Sequence, residues 1–342
     1  MLQPVIIGED HMAAPTMRDV ARTAGVSLKT VSRVVNGETT VAPDLVARVR
    51  AAVETLHYRP HLGASMLRRN DRRTRTIGVL LEDVSNPFSA AVHRAVEDEA
   101  RSHGVHVLTG SLDDDPQREV DLARAFAQRQ ADGLIVAPTG FDQEHLDAVG
   151  ELPIVFVDRP AVGFAGDSVL ATNVDGAAEA VRHLIAHGHH RIAYLGDHVR
   201  ISTARSRYEG YLAALAEAGL APFGAHELHS AASAGAAVAA LLRGDEPPTA
   251  FFSGQNVITV GAVQELRRQG RHRAVALLGF DDFPLADLLE PGISVVAQDP
   301  VAMGRTAARA LFERIEGFAG APREFLIPTT LISRGSGELR PS

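Results

Sequence analysis

Asp19-Val-Ala-Arg-Thr-Ala-Gly-Val-Ser-Leu-Lys-Thr-Val-Ser-Arg-Val-Val-Asn-Gly37 forms the heart of a stretch running from Met17 to Arg69. Val20, Ala21 and Ala24 recur at the spacing of one apolar helical face. Gly25 supplies the positive φ that a tight turn needs, and Ser27 is suited to cap a second helix. That helix turns Val31, Val34 and Val35 inward and leaves Leu28, Lys29 and Arg33 outward. Lys29 and Arg33, four residues apart, share one side and can reach a single major groove. A third amphipathic helix follows Pro43, with Leu45, Val49, Val53 and Leu56 as its stripe. Two short helices about a glycine turn, the second with a basic outer face, make a helix-turn-helix.

Three pieces of this stretch, Asp19-Val-Ala-x-x-Ala-Gly-Val-Ser, Thr30-Val-Ser-Arg-Val-Val-Asn and Leu56-x-Tyr-Arg-Pro60, resemble the headpiece of the LacI/GalR family of bacterial transcriptional repressors. The candidate DNA contacts are then Ser27, Leu28, Lys29, Thr30, Ser32, Arg33 and Asn36. Residues 61–75 match the family's hinge helix and linker, the helix being placed by the resemblance against the minor groove with Leu67 as the wedging side chain and Arg68 beside it. The sequence departs from the family at His61, Ser65 and Ala42; at the last, Pro43 in the first turn partly replaces a capping serine.

The net charge of −8 divides unevenly. Residues 16–75 hold 12 Lys/Arg against 5 Asp/Glu, whereas 76–342 carry a net −13. A basic module on an acidic body confines phosphate attraction to one end. Lys29 is the single lysine of the chain. With no cysteine, disulfides and thiolate metal sites are excluded, in keeping with a reducing cytoplasm. Residues 1–15 show neither periodicity nor a signal-peptide pattern and are expected to be a disordered extension. No apolar run is long enough to span a bilayer.

From Thr76 short apolar strands alternate with amphipathic helices. The strands are expected at 77–81, 105–109, 133–137, 154–157, 191–195, 250–253 and 275–278; the helices at 88–103, 118–130, 176–187, 207–218, 231–243, 259–269 and 303–315. Such alternation predicts an α/β fold of parallel sheets with helices on both faces, in two lobes. Neither GxGxxG nor GxxxxGK[ST] occurs, so no nucleotide fingerprint supports an enzyme, and no cofactor is expected.

The resemblance continues through Asp83-Val-Ser-Asn-Pro-Phe88, Ala131-Asp-Gly-Leu-Ile135, Val157-Asp-Arg159, Gly188-His-His-Arg-Ile-Ala193, Arg207-x-x-Gly-Tyr211, Leu278-Gly-Phe-Asp-Asp282, Val296-x-Gln298 and Leu331-Ile-Ser-Arg334. It implies a helix-turn-helix domain at 16–60, a hinge at 61–75, and a two-lobed body at 76–342 similar to a periplasmic sugar-binding protein. The first lobe would be about 76–171 with 299–326, the second about 172–298 with 327–342.

Arg207 and Asp281 are the leading candidates for ligand contacts, an arginine fork and a carboxylate being suited to vicinal hydroxyls or an anion. Residues matching them contact effector in the family. Ser85, Phe88, Asp158 and Gln255 are expected companions, with Phe88 able to stack on a sugar face. Thr172 and Gln255-Asn256 replace carboxylates common in the family, which speaks against a standard hexose.

His187, His189 and His190 are read as helix-end caps rather than metal ligands, and no metal site is expected. Asp113-Asp-Asp115 reads as a loop with helix-start acids. Adjacent Asp281 and Asp282 point different ways, against a catalytic pair. The reading is a cytoplasmic homodimeric repressor of a near-palindromic operator, tuned by a sugar or related metabolite; the alternative is a solute-binding protein or enzyme on the same lobes.

Overall fold

The computed structural model describes residues 15–35, 38, 40–58, 73–139 and 142–341. The expected extension, most of the hinge, and with them Asn36, Leu67 and Arg68 lie outside the described residues. The chain divides into two compact units, residues 1–74 and 75–342.

In the first unit, α1 (Met17–Ala24) starts from a reciprocal cap in which the Thr16 hydroxyl accepts from Asp19 and the Asp19 carboxylate accepts from the Thr16 backbone. It stops at Gly25, held at φ +61. Ser27 then caps α2 (Leu28–Val35), its Oγ accepting from Thr30 N at 3.1 Å. α3 (Pro43–Thr55) begins without a side-chain cap at Ala42 and relies on Pro43 in its first turn. Val20, Ala24, Val31, Val49, Ala52 and Tyr58 close the core of this unit, with Ala52 buried where the sequence pattern favoured Leu45. Arg48 reaches back from α3 to donate to the carbonyls of Ala24 and Gly25, tying the turn down.

The second unit holds two six-stranded sheets among the described residues. The first comprises β1 (Thr76–Leu81), β2 (His106–Ser111), β3 (Leu134–Val136), β4 (Ile154–Val157), β5 (Asp167–Ala171) and β11 (Glu324–Ile327), ordered 11-5-4-3-1-2 and wholly parallel. The second comprises β6 (Ile192–Leu195), β7 (Phe223–Ala225), β8 (Ala250–Ser253), β9 (Ala276–Phe280), β10 (Ser294–Ala297) and β12 (Thr330–Ile332), ordered 12-10-9-8-6-7, with β12 antiparallel. The two orders correspond strand for strand, so β4 and β9 occupy equivalent places, as do β1 and β6. The chain passes between sheets at 172, at 298–299 and at 328–329.

Helices cover both faces. α4 (Pro87–Ser102) and α10 (Pro300–Ile315) pack on the first sheet around Val92, Val96, Met303 and Leu311. α5 (Pro116–Gln128) covers its other face through Ala123 and Phe126. On the second sheet, α6 (Asn173–Ala186) and α7 (Ser202–Glu217) share a cluster with Tyr194 and Phe252, while α8 (Ala231–Leu242) and α9 (Asn256–Arg268) cover the opposite face. Buried on both sides, the central strands read as unbroken apolar runs, as parallel sheets demand. No helix among the described residues is long and apolar enough to cross a membrane.

Candidate functional site

Strand ends decide what faces the space between the sheets. In open α/β sheets the crevice lies beyond the carboxyl ends of the strands. Glu82 follows β1, Asp158 and Arg159 follow β4, Asp197 follows β6, Gly254 and Gln255 follow β8, Asp281 follows β9 and Gln298 follows β10; all line one cavity, with Asn86, Phe88 and Thr203. Its volume is about 40 Å³. That volume holds water, while a more open pocket of about 320 Å³ adjoins it and shares Phe88, Asp281 and Gln298.

Two buried arginines organise it. Arg207, in the second turn of α7, donates through Nε to Asn173 Oδ1 at 2.8 Å and through Nη1 to the Gly254 carbonyl at 2.8 Å and Asp281 Oδ2 at 3.1 Å. Its guanidinium lies 3.9 Å from the centre of the Phe280 ring. Asp281 also accepts from Gln298 Nε2 at 2.7 Å. On the other sheet, Arg159 donates to Asp114 at 2.6 Å and Glu82 at 3.0 Å. A reciprocal amide pair, Asn86 with Asn256 at 3.0 and 3.3 Å, joins the two sides.

Asp158 and Asp281 stand at equivalent positions, each one residue beyond its strand and each with φ near +70 (+68 and +69). Both still donate a backbone N–H to the neighbouring strand, to Val169 and Val296. This left-handed turn swings the carboxyl group off the line of the strand, and aspartate tolerates it better than most residues.

Burial pushes Glu82 up to about 7 despite the pull of Arg159, with Asp114, Asp158 and Asp197 adding to the rise. Its side chain keeps 37% of its surface exposed, so solvent screens part of the effect. Burial likewise raises Asp158, against the opposing charges of Arg159 and Arg207. Burial opposes the charge on Arg159, yet Glu82, Asp114 and Asp158 more than offset it and hold the guanidinium firmly protonated.

Three polar atoms of this cavity are buried without a hydrogen-bond partner: Asp158 Oδ1, Arg159 Nε and Gln298 Oε1. Leaving such a group unmet costs about 1–3 kcal/mol, and Arg159 Nε has only the Asp158 carboxylate nearby, at 3.7 Å.

Most of the expected companions line this cavity: Phe88, Asp158, Arg207, Gln255 and Asp281. Ser85 does not; it is exposed and its hydroxyl turns to Asp83 Oδ2 at 2.7 Å. Thr172 pairs with Thr329 and is not among the residues lining the cavity, whose carboxylates come from Glu82, Asp158, Asp197 and Asp281. Asp114, expected as a plain loop acid, belongs to the Arg159 network, while Asp115 caps α5. Asp282 turns away from Asp281 to a two-point pair with Arg334. Sequence reasoning missed Glu82, Arg159, Asp197 and Gln298, although applying the strand-end rule to every expected strand would have found the first three.

His187 caps α6 as expected, its Nδ1 2.8 Å from the His183 carbonyl. His189 is instead a fully buried tie, 2.9 Å from Thr249 Oγ1 and 2.7 Å from the Leu339 carbonyl.

In the first unit, Leu28 and Lys29 are exposed on α2, with Ser27 and Thr30 joined at its start by a 2.9 Å hydroxyl contact. Ser32 and Arg33 are half-buried. Arg33 is occupied, with Nε 2.7 Å from Glu38 Oε2 and Nη2 donating to Thr40.

A profile described as bacterial regulatory proteins, lacI family, matches residues 16–61, and one described as a periplasmic binding protein-like domain matches 181–337. The chain is 33% identical over 330 residues to the HTH-type transcriptional regulator PtxS of Pseudomonas plecoglossicida, covering 95% of this chain and 96% of that one. It is 31% identical over 328 residues to the ribose operon repressor of Haemophilus influenzae, with 94% and 98% covered. The solved structure of the lac repressor dimer bound to operator and the anti-inducer ONPF superposes with a TM-score of 0.82 at 25% identity, over 95% of this chain and 99% of that one. The complex of the transcriptional regulator CelR with cellobiose gives 0.69 at 28% identity, over 94% and 99%.

Proposed function

The chain belongs to the lacI family of bacterial regulatory proteins and is a DNA-binding transcriptional regulator, from which we propose that it is a repressor whose operator affinity is set by a neutral, hydroxyl-rich ligand in the cleft. The orphaned atoms carry this reading. Asp158 Oδ1 and Gln298 Oε1 need donors, whereas Arg159 Nε needs an acceptor. A hydroxyl group offers both. A phosphate or carboxylate satisfies the arginine alone and leaves Asp158 Oδ1 and Gln298 Oε1 without donors. The fit is therefore to a sugar or a related polyhydroxylated metabolite, the class to which the cellobiose held by CelR belongs.

On this reading Arg207, Asp281, Asp158, Gln255 and Phe88 bind the ligand, joined by Glu82, Arg159, Asp197 and Gln298; Ser85 is set aside. Lys29, Leu28 and their neighbours on α2 read base edges. The protein works in the cytoplasm as a homodimer on a near-palindromic operator; the lac repressor structure likewise holds a dimer on its operator.

Thermal shift of the full chain against neutral sugars, sugar phosphates and sugar acids tests the ligand class, because a specific ligand raises the melting temperature by mass action. A neutral sugar or polyol should stabilise, and Asp281→Asn should remove the effect. Stabilisation by the anionic compounds alone would reverse the assignment.

A further inference from the structure

Beside the cleft, the side chains of His198, Glu227 and His229 converge, each offering a donor atom within 4.8 Å of the other two. Nothing in the cleft's role as described accounts for them. We propose that these three residues form a binding site for a divalent transition metal of the zinc class.

The backbone builds the site before any ion arrives. His198 lies on the loop after β6, and Glu227 and His229 on the loop after the neighbouring β7. Two hydrogen bonds carry the pairing of these strands into the loops, Gly196 N to the Ala225 carbonyl at 2.9 Å and Leu228 N to the Gly196 carbonyl at 3.1 Å. Leu228, between the two outer ligands, is buried in the core of the second sheet and anchors the loop. Glu227 is held at φ +63, which throws its carboxylate to the same side as the histidines.

The donors already touch. His198 Nδ1 is in contact with Glu227 Oε2, and the two imidazole rings stand 3.7 Å apart between centres. Behind His229, the Asp197 carboxylate lies 2.8 Å from Nδ1. That contact fixes a tautomer with the proton on Nδ1 and the lone pair on Nε2, free to coordinate. A carboxylate behind a ligating histidine is the usual outer support of metal sites.

Two imidazoles and one carboxylate suit zinc, which binds such sets at about 2.0–2.1 Å in a tetrahedron. Donors then sit about 3.3 Å apart, so no separation has to close by more than about 1.5 Å. Glu227 and His229, about half exposed, have the freedom to do so. Magnesium and calcium prefer all-oxygen sites and are not matched. The other oxygen of Asp197 accepts from Gln255 Nε2, and both residues line the cleft, so the metal site shares a residue with the ligand site.

The test is titration of the full chain with zinc ions alone, by calorimetry, with cobalt(II) absorbance as a readout of coordination geometry. Wild type should bind one equivalent that is lost in His198→Ala/His229→Ala, and Co(II) should give the intense visible bands of a tetrahedral site. Asp197→Asn should weaken the site about 10–100-fold although it removes no ligand, the loss typical of an outer support. The melting temperature without metal checks that each variant is folded. Equal zinc binding by wild type and the double variant, or binding unaffected by Asp197→Asn, overturns the proposal.

Discussion

Arg207 shows how one residue serves both scaffold and site. It is buried, paired with Asp281, bonded to Asn173 and Gly254, and laid on Phe280. Arg207→Ala would strand the Asp281 charge and should cost about 3–5 kcal/mol, visible as a lower melting temperature of the body. A melt unchanged from wild type would mean the pair is solvated and interchangeable. Asp281→Asn keeps the shape and is the cleaner probe of ligand binding. Glu82 gives a pH signature. Its folded pKa, about 7, lies above its ordinary value of 4.5, so the folded state holds a proton that the unfolded state has released. Stability therefore falls as pH rises through that window and levels off above it. Glu82→Gln should flatten this part of the curve; an unchanged slope in the variant would place the effect elsewhere. Asp167 has the opposite sign. Burial opposes its ionisation, but Arg314 and Arg323 outweigh it and hold the carboxyl near 2. Its contribution is present above about pH 4 and lost as pH falls through 2. The chemistry of Arg207 and Asp281 was readable from the sequence, because an arginine and an aspartate sat beside recognisable strands. That of Gln298 and Asp114 was not, since their importance comes from partners far away in the chain.

Elements divide along the same line. Strands 154–157 and 250–253 stand where the sequence pattern put them, because buried apolar runs leave little choice of limits. The strands at 167–171, 223–225, 294–297, 324–327 and 330–332 went unread. They are three to five residues long, and three of them are edge strands too short for an alternation to emerge. Several helix starts were read late, at 207 for Ser202 and at 176, 259 and 303 for Asn173, Asn256 and Pro300, whereas the start at Ala231 stands where it was read. The apolar period begins only where the helix meets its sheet, whereas Asn173, Thr203 and Asn256 in the first turns face the cleft or its supports. In the first unit the turn is the critical element. A Cβ added at Gly25 would stand 2.7 Å from Arg48 Nη2, at φ +61. Gly25→Ala should cost about 1 kcal/mol or more and loosen the carbonyl clamp that sets the angle between α1 and α2. Faster amide exchange in α2 together with weaker DNA binding would show it; unaltered exchange would show that the turn tolerates strain.

The whole molecule couples a basic end to an acidic body that carries the cleft. A ligand that enters the small inner cavity displaces contacts such as Asn86–Asn256 or Gln255–Asp197. Any change this imposes on DNA affinity must be returned as an equal change in ligand affinity. The sequence-derived route runs through Leu67, outside the described residues: Leu67→Ala should lower specific affinity strongly and leave non-specific binding, mostly counterion release, nearly intact. Bending and affinity assays at fixed salt measure both, and full specific affinity in the variant would reduce the hinge to a tether. The most direct test of the central claim is a single titration. The full chain binds a duplex selected from a random pool, at fixed salt, with and without the neutral sugar that gives the largest thermal shift. The account predicts that the sugar changes wild-type affinity for the duplex at least fivefold, while Asp281→Asn binds the same duplex normally and ignores the sugar. A sugar that occupies the cleft yet leaves wild-type DNA affinity unchanged would contradict it.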